Sequence, residues 1–357
     1  MVGIAKFIEG TFLPSREGAT NHFYHLCREL NSQDIHLVVF HSYRGWSDIG
    51  IMKKERYPIY LFHPETYYKN LSLLCDILKK ERIKIMIMND AEAVFYHGAE
   101  IKKRIPSIKI FFEIHDVENI LRKKLTKRDK EVKKTIKIEK EALKIADFYT
   151  CFTNFDKKQL LGLGAKKKDL YVIPSGVDIK ETTYSGPSLN KLRVLFLGNN
   201  YYEPNSIAIK SIKKRIYPFT EAKFLIGGNA PSNLTKLQEK DFEFLGYLKN
   251  LNEFFKKGTV AIAPINVGSG IRLKILNYMA AGLPVISTSL AAEGIKKSYG
   301  LIICNNIDKY PDIINTLFHN PAKLRKMGFA NRRVIEKYYS WEIIGKKIIN
   351  LLDKYSQ

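Results

Sequence analysis

The stretch Asn266–Gly294 reads NVGSGIRLKILNYMAAGLPVISTSLAAEG, and it decides the fold of the chain. Its glycines predict a loop, a helix is predicted to begin at about Ile271, and a buried strand is predicted after Pro284. Arg272 and Lys274 fall in the first turn of that helix, where backbone N–H groups have no intrahelical partner and carry the positive end of the dipole. Two cations beside such groups predict a site for a diphosphate. The order of loop, helix and strand therefore indicates an enzyme that handles a nucleotide.

Two common phosphate motifs do not describe this stretch. No Gly-Lys-Ser or Gly-Lys-Thr follows the glycines, so it is not a Walker A loop. A Rossmann fingerprint would open the first strand–helix–strand unit, whereas this loop lies three quarters of the way along the chain. On spacing alone, a simple tight turn remains the alternative.

Composition sets the outer limits of the interpretation. A chain of 357 residues with 45% apolar residues suggests two soluble domains. No apolar run approaches the roughly 20 residues that span a bilayer, and the first ten residues lack the order of a signal peptide. The cysteines have no Cys-x-x-Cys spacing, which predicts free thiols in a reducing cytosol and no zinc site. They are Cys27, Cys75, Cys151 and Cys304.

The formal net charge of +23 has several possible origins. Binding to a nucleic acid, to an anionic membrane or to a phosphorylated substrate would explain this charge. A compositional bias towards lysine would explain it equally well. Residues 122–144 are the most basic stretch and predict one helix with a solvent-exposed, basic face. That face is either only solvated or a surface for anionic lipid or polymer. No nucleic-acid-binding motif is present, so nucleic acid is not an expected partner.

Apolar strands alternate with amphipathic helices twice along the chain, which predicts two parallel sheets covered on both faces. The strands of the first half are predicted at 35–40, 83–88, 108–114, 149–152 and 170–173, with helices at 20–31, 67–81 and 92–104. Those of the second half are predicted at 192–197, 222–226, 242–246, 259–263 and 284–287, with two last helices at 312–328 and 330–356.

Short motifs recur along the chain in an order typical of one family. They are GATNH at 18–22, EIHD at 113–116, PSGVD at 174–178, LFLG at 195–198 with EPN at 203–205, and GSGIRLKIL followed by MAAGLPVIST and EG at 268–294. Together they resemble the family 4 glycosyltransferases, and the resemblance covers nearly the whole chain. It implies the GT-B fold, in which two Rossmann-like α/β domains face each other across a cleft.

The resemblance also implies domain limits and site residues. The first domain, on the acceptor side, is expected at 1–178, the donor-nucleotide domain at 179–338, and the last helix, 339–357, packs back on the first. The donor-binding residues expected from the match are Gly18, Asn199, Tyr247, Ser269, Gly270, Ile271, Arg272, Leu273, Lys274 and Asn277. His115 and Asp116 are expected on the acceptor side, with His115 as the catalytic candidate. A structural histidine at a strand end is the alternative for His115.

The chain departs from the family pattern at three places. The family often has two glutamates eight residues apart around the phosphate helix, where this chain has Ser269 and Asn277. The second glutamate normally bonds the donor ribose, and an asparagine can still offer a donor and an acceptor. Asn199-Asn200 replaces the usual cation after the first strand of the second domain. A degenerate, non-catalytic binding or scaffold subunit is therefore one alternative.

The function implied is that of a retaining glycosyltransferase. It would move a sugar from a UDP- or GDP-sugar to a glycan, a lipid-linked glycan or another cell-surface polysaccharide. No Asp-x-Asp motif is present, so no metal and no cofactor is expected. A sugar-nucleotide epimerase is the second alternative, but it needs paired carboxylates that the sequence does not place. The expected location is the cytoplasm, with a peripheral site on the inner face of an anionic membrane. The oligomeric state is not indicated.

Overall fold

The computed structural model describes residues 2–9, 12–13, 18–33, 35–43, 47–65, 71–125 and 128–356. The chain forms two compact units. The first comprises Met1–Ser175 and Trp341–Gln357, and the second comprises Gly176–Ser340.

The first unit is built on a seven-stranded sheet in the order β3-β2-β1-β4-β5-β6-β7, in which every strand pair is parallel. Successive side chains of a strand point to opposite faces. Ile4 and Ile8 of β1 lie in one core and Ala5 and Phe7 in the other, so both faces of the sheet are covered. The strands are β1 Val2–Glu9, β2 Ile35–Ser42, β3 Ile59–Phe62, β4 Ile83–Met88, β5 Lys109–Ile114, β6 Phe148–Cys151 and β7 Leu170–Val172.

Helices cover this sheet on both sides. They are α1 Gly18–Asn31, α2 Ile49–Met52, α3 Leu71–Lys80, α4 Ala91–Ala93, a π-helical turn Val94–Gly98, α5 Ala99–Arg104, α6 Glu118–Leu125, α7 Asp129–Ile145 and α8 Asn154–Leu163. The last helix of the chain, Trp341–Ser356, also belongs to this unit. Its Tyr355 ring stacks on Phe148 at 4.0 Å between centroids, and its Gly345 lies so close to Glu29 of α1 that an added Cβ would come within 2.9 Å.

The basic stretch 122–144 does not form the one helix that the sequence predicted. It is divided between α6 and α7, with residues 126 and 127 outside the described part. The Asn119 amide of α6 donates to the buried Glu139 carboxylate of α7 at 2.6 Å, which requires the two segments to pack against each other. Burial raises the pKa of Glu139. The predicted helix 67–81 is Leu71–Lys80 in the structure, and residues 66–70 are outside the described part.

The second unit repeats the architecture with a six-stranded parallel sheet in the order β10-β9-β8-β11-β12-β13. Its strands are β8 Arg193–Leu197, β9 Lys223–Gly227, β10 Phe242–Gly246, β11 Val260–Ala263, β12 Val285–Ser287 and β13 Leu301–Ile303. Its α-helices are α9 Glu203–Arg215, α10 Ser232–Thr235, α11 Leu251–Phe255, α12 Leu273–Ala280, α13 Tyr310–Phe318 and α14 Pro321–Tyr338, and the last helix of the chain, described above, is α15.

The C-terminal region contains three helices where the sequence predicted two. The predicted break near residue 329 is wrong, because α14 runs through it. The chain breaks instead at Asn320, whose side chain accepts a hydrogen bond from the Lys323 backbone N–H at 3.0 Å and is followed by Pro321 at the first helical position. A second break separates α14 from α15 at Tyr339-Ser340, where the Tyr339 carbonyl accepts from Val177 N–H. Among the described residues, no helix combines the length and the apolar composition that a bilayer crossing needs.

Candidate functional site

Each sheet has one point at which the direction of the strand order reverses. In the second unit this point lies between β8 and β11, because β9 and β10 extend to one side and β12 and β13 to the other. Open parallel sheets bind ligands outside the carboxyl ends of the strands at such a point. The predicted donor residues Asn199, Ser269 and Lys274 follow β8 and β11 there.

The glycine-rich loop after β11 is shaped by two backbone conformations that favour glycine. Gly268 has φ +126° and Gly270 has φ +71°. A Cβ on Gly268 would also come within 2.4 Å of the Arg272 guanidinium, which folds back and donates to the carbonyl oxygens of Ser269 and Gly270. Helix α12 therefore begins at Leu273, two residues later than predicted, and Arg272 is its N-cap residue rather than part of its first turn.

Lys274 lies in the first turn of α12 and reaches the carboxyl end of β8. Its ammonium donates to the Asn205 side-chain oxygen at 2.6 Å and lies 4.2 Å from the centre of the Phe196 ring. The Asn205 amide nitrogen in turn donates to the Asn199 carbonyl at 2.8 Å, which fixes the direction of the amide. A Cβ at Gly198 would come within 2.9 Å of the ammonium and 2.6 Å of the Asn205 amide nitrogen, so both side chains would have to shift to admit it.

The charges of Lys274 and Arg272 have no counterion within the described part of the chain. The contacts of Lys274 are a neutral amide and an aromatic ring, and those of Arg272 are carbonyl groups. Burial lowers the pKa of Lys274 well below its ordinary value, and the neighbouring Arg272 lowers it further. A bound anion would relieve both effects, so the site has the electrostatics of an anion-binding site.

Apart from Gly18, the other predicted donor residues lie in the same unit as this cation pair. Ser269 and Ile271 are buried, Leu273 and Asn277 are half-buried, and the Asn199 side chain accepts from the Tyr201 backbone N–H at 3.1 Å. Tyr247 is 53% exposed directly after β10. A cavity of about 250 Å³ lies beyond β9 and β10. Its lining comprises Tyr201, Gly228, Asn229, Ala230, Thr235, Gln238, Phe244 and Gly246.

The first unit holds a buried charged cluster on the face of its sheet that packs on α1. The Lys6 ammonium of β1 donates to Glu113 of β5 at 2.6 Å, and His22 Nε2 of α1 lies 2.9 Å from the other carboxylate oxygen. His22 Nδ1 lies 2.8 Å from the Ser175 hydroxyl. Burial raises the pKa of Glu113, but Lys6 and the nearby histidines outweigh it and hold that pKa well below its usual range.

His115 lies directly after β5, at the edge of this cluster. Its Nε2 is 3.4 Å from Glu113 Oε2, and its ring stacks on Phe152 at 4.8 Å between centroids. Burial lowers the pKa of His115 to about 4, so the ring is neutral near neutral pH. Asp116 is exposed, and Gly18 is the first residue of α1.

Sequence reasoning gave no role to Lys6, Glu113, His22 or Asn205. The sequence did contain a signal for Lys6 and Glu113, because each is a charged residue inside an apolar run. Lys6 lies within VGIAKFIE and Glu113 within IFFEI. Charged side chains are almost never fully buried unless they are paired. His22, Glu113 and Asn205 were quoted only as parts of motifs.

Family models match both units. One described as Glycosyltransferase Family 4 matches residues 16–181, and one described as Glycosyl transferases group 1 matches residues 191–320. The chain belongs to the family 4 type of glycosyltransferases. The resemblance seen in the sequence motifs is thereby confirmed.

Relatives and solved structures extend this result. The GDP-mannose-dependent monoacylated alpha-(1-6)-phosphatidylinositol monomannoside mannosyltransferase of Corynebacterium glutamicum is 27% identical over 209 residues, 50% of this chain. The chain spans only about half of that relative, 55% of its length. Sucrose-phosphate synthase from Thermosynechococcus elongatus has a TM-score of 0.80 at 14% identity, with 99% of each chain covered. Anabaena HepE, in complex with UDP and glucose, has a TM-score of 0.79 at 14% identity, with 99% of this chain and 100% of that chain covered. At these identities the structures show the fold alone, and the predicted GT-B fold of this glycosyltransferase is confirmed.

Proposed function

We propose that this glycosyltransferase moves a sugar from a nucleotide-sugar donor, with retention of configuration, to a glycan, a lipid-linked glycan or another cell-surface polysaccharide. The observation that carries the proposal is the pair Arg272 and Lys274, two cations without a counterion in the described chain, at the switch point of the second sheet. A nucleoside diphosphate is the leaving group of such a donor, and it supplies the missing negative charge.

The chemistry needs little beyond this site. Negative charge grows on the leaving diphosphate as its bond to the sugar breaks, and fixed positive groups aimed at that charge lower the barrier. Lys274, Arg272 and the backbone N–H groups at the start of α12 act in this way. Ser269 and Asn277, which replace the family's glutamates, contact sugar and ribose hydroxyls. The proposed reaction is metal-independent and should survive EDTA.

The nucleobase lies in the cavity beyond β9 and β10. The segment Gly246-Tyr247, at the end of β10, borders the base. Both uracil and guanine are candidates, since the Corynebacterium relative is named for GDP-mannose and HepE was solved with UDP. Gly246 lines this cavity and Tyr247 follows it, which supports the assignment of this segment to the base. A melting-temperature screen with UDP, GDP and ADP identifies the base, because a ligand that binds only the folded state raises the melting temperature.

The first unit takes the acceptor in this proposal, with His115 and Asp116 on the acceptor side and Gly18 near the donor diphosphate. The acceptor is held near an anionic membrane by the basic face of α6 and α7. Each lysine or arginine near such a surface is worth about 1 kcal/mol. Lys123 and Lys130 are exposed on these helices. Lys127 lies outside the described residues, and nothing is described of the Lys124 side chain.

The membrane interaction is tested with vesicles. Reversal of Lys123, Lys124, Lys127 and Lys130 to Glu should weaken salt-sensitive binding to anionic vesicles and leave nucleotide affinity unchanged. If the parent protein does not bind anionic vesicles at low salt, the basic face is only solvated and this part of the proposal is wrong.

A catalytically inactive scaffold is the second candidate, and the replacement of both family glutamates by Ser269 and Asn277 favours it. Hydrolysis of the donor in the absence of acceptor separates the two candidates. Release of free sugar from the sugar nucleotide whose base binds best would identify an enzyme. Tight nucleotide binding with no release of sugar, and with no transfer to any acceptor tried, would favour the scaffold.

A further inference from the structure

Glu113 is the centre of the buried cluster in the first unit, and its state of ionisation fixes the direction of every hydrogen bond around it. It is buried among Lys6, His22 and His115. The adjacent Lys6 ammonium, 2.6 Å away, keeps the carboxylate ionised. An ionised carboxylate can only accept hydrogen bonds.

This direction determines the tautomer of His22. Its Nε2 must carry the hydrogen that Glu113 accepts at 2.9 Å, so in the neutral ring Nδ1 is an acceptor. The Ser175 hydroxyl, 2.8 Å from Nδ1, can supply the matching donor. Ser175 therefore completes the cluster as a donor.

The same reasoning applies to His115. Its Nε2 faces Glu113 Oε2 at 3.4 Å, and the ring is neutral near neutral pH. The ring is held by Phe152 at 4.8 Å, by His22 at 4.7 Å and by Phe23 at 5.2 Å between centroids. Within the described residues, no hydrogen bond to His115 Nδ1 is present, and the side chain is 14% exposed.

We propose that Glu113, with Lys6 as its counterion, is a positioning residue that fixes His115 as its Nε2–H tautomer and leaves Nδ1 to accept a hydrogen bond from a sugar hydroxyl. The identity of that hydroxyl rests on the proposed glycosyl transfer, whereas the tautomer does not. Neutral imidazole in the other tautomer would present an N–H donor at the same place. The tautomer thus decides whether a bound hydroxyl meets an acceptor or a donor.

The test is a long-range proton–nitrogen correlation spectrum of the free protein with ¹⁵N-labelled histidine, with the signals of His115 assigned by their loss in His115→Gln. Near neutral pH the parent should show His115 as the Nε2–H tautomer, favoured by about tenfold or more, since hydrogen bonds to charged groups are the stronger class. A parent with His115 as the Nδ1–H tautomer or as an even mixture would overturn the proposal whatever the variants show.

Variants separate positioning from mere structural support. Lys6→Met with Glu113→Leu removes both charges together, so no unpaired charge is left buried. In this Leu variant His115 should show a mixture of the two tautomers. Lys6→Met with Glu113→Gln keeps a neutral acceptor, and its tautomer ratio should lie between those of the parent and the Leu variant. The matched control, Lys102→Met with Asp147→Asn, removes another ion pair of the same unit, 3.0 Å long, and should keep the parental spectrum.

The outcomes are distinguishable from a failure of the proposed function. A folded Leu variant with the parental tautomer would overturn the positioning role. If that variant does not fold, the Gln variant and the parent spectrum decide the question. These spectra are recorded without nucleotide, so they do not depend on whether the second unit binds one. Nucleotide titration tests the proposed function separately.

Discussion

The two units treat charge near their switch points in different ways. In the first, the Lys6 ammonium is buried beside an ionised carboxylate at 2.6 Å, and the pair is complete within the protein. In the second, the Lys274 ammonium faces the Asn205 amide and the Phe196 ring, and Arg272 next to it faces carbonyl groups. A completed pair holds the groups around it in place, whereas cations without a counterion can take one from a ligand. We therefore infer from the charge balance that the first cluster positions its neighbours and that the second binds a ligand.

The largest expected effect is on stability and concerns the completed pair. Lys6→Met leaves Glu113 buried without its ammonium, and breaking a buried pair in this way costs about 3–5 kcal/mol. Urea unfolding followed by tryptophan fluorescence should show this loss, since Trp341 packs on His22 at 5.0 Å and contributes to the emission. Lys102→Met is the control, since Lys102 pairs with the partly exposed Asp147 and should cost about 1 kcal/mol or less. Equal losses of unfolding free energy in Lys6→Met and Lys102→Met would contradict the view that the Lys6–Glu113 pair is complete and buried.

The second prediction concerns protons taken up on nucleotide binding. The pKa of Lys274 is lowered in the free folded protein, so between that pKa and the ordinary lysine value of about 10.4 the amine is largely neutral. Burial of the ammonium therefore destabilises the folded state at low pH, and this penalty is relieved as pH rises through the lowered pKa.

A bound diphosphate favours the ammonium, so binding takes up a proton and affinity falls as pH rises through the same pKa. The last phosphate ionisation of the nucleotide occurs near pH 6, and measurements at mildly alkaline pH stay below the ionisation of the base N–H of UDP or GDP, so the nucleotide itself does not cause this fall. Calorimetry in two buffers of different ionisation enthalpy measures the proton uptake. Lys274→Met should abolish it, and a parent that binds nucleotide at alkaline pH without uptake would remove Lys274 from the diphosphate site.

The smallest expected effect concerns Asn277. Restoring the glutamate that the family resemblance places there, by Asn277→Glu, should strengthen the bond to the ribose and raise nucleotide affinity several-fold, since one hydrogen bond contributes about 1 kcal/mol. Titration with the 2′,3′-dideoxy nucleotide is the control, because its ribose lacks the hydroxyls. A gain of the same size with the dideoxy nucleotide would mean that Asn277 lies elsewhere than at the ribose.

The sequence predicted the sheets better than the sites. Apolar runs placed strands such as Ile83–Met88 and Phe242–Gly246 with the bounds that the structure shows, because strands of a covered parallel sheet are mainly apolar. Leu301–Ile303 was missed, since three residues at a sheet edge carry too little pattern. The fold and family followed from motif order.

The charge balance could not be predicted, because it depends on which strands lie side by side. Lys6 and Glu113 are 107 positions apart and meet only because β4 alone separates β1 from β5. The position of Arg272 as the N-cap residue, with its guanidinium on the carbonyls of Ser269 and Gly270, depends on the two glycine conformations of the loop. Sequence patterns located Lys274 but gave no indication of its neutral partner Asn205.

Calorimetric titration of Lys274→Met with UDP and GDP tests the central claim most directly. The parent should bind one of the two nucleotides, and the variant should bind it about tenfold or more weakly, since a hydrogen bond to a charged group contributes about 1.5–3 kcal/mol. Arg272→Met should lose less, because its guanidinium already bonds to loop carbonyls. The control Lys257→Met removes an exposed lysine of the same unit and should keep the parental affinity. Equal affinity of Lys274→Met and the parent, with both folded, would contradict the assignment of these cations to the diphosphate.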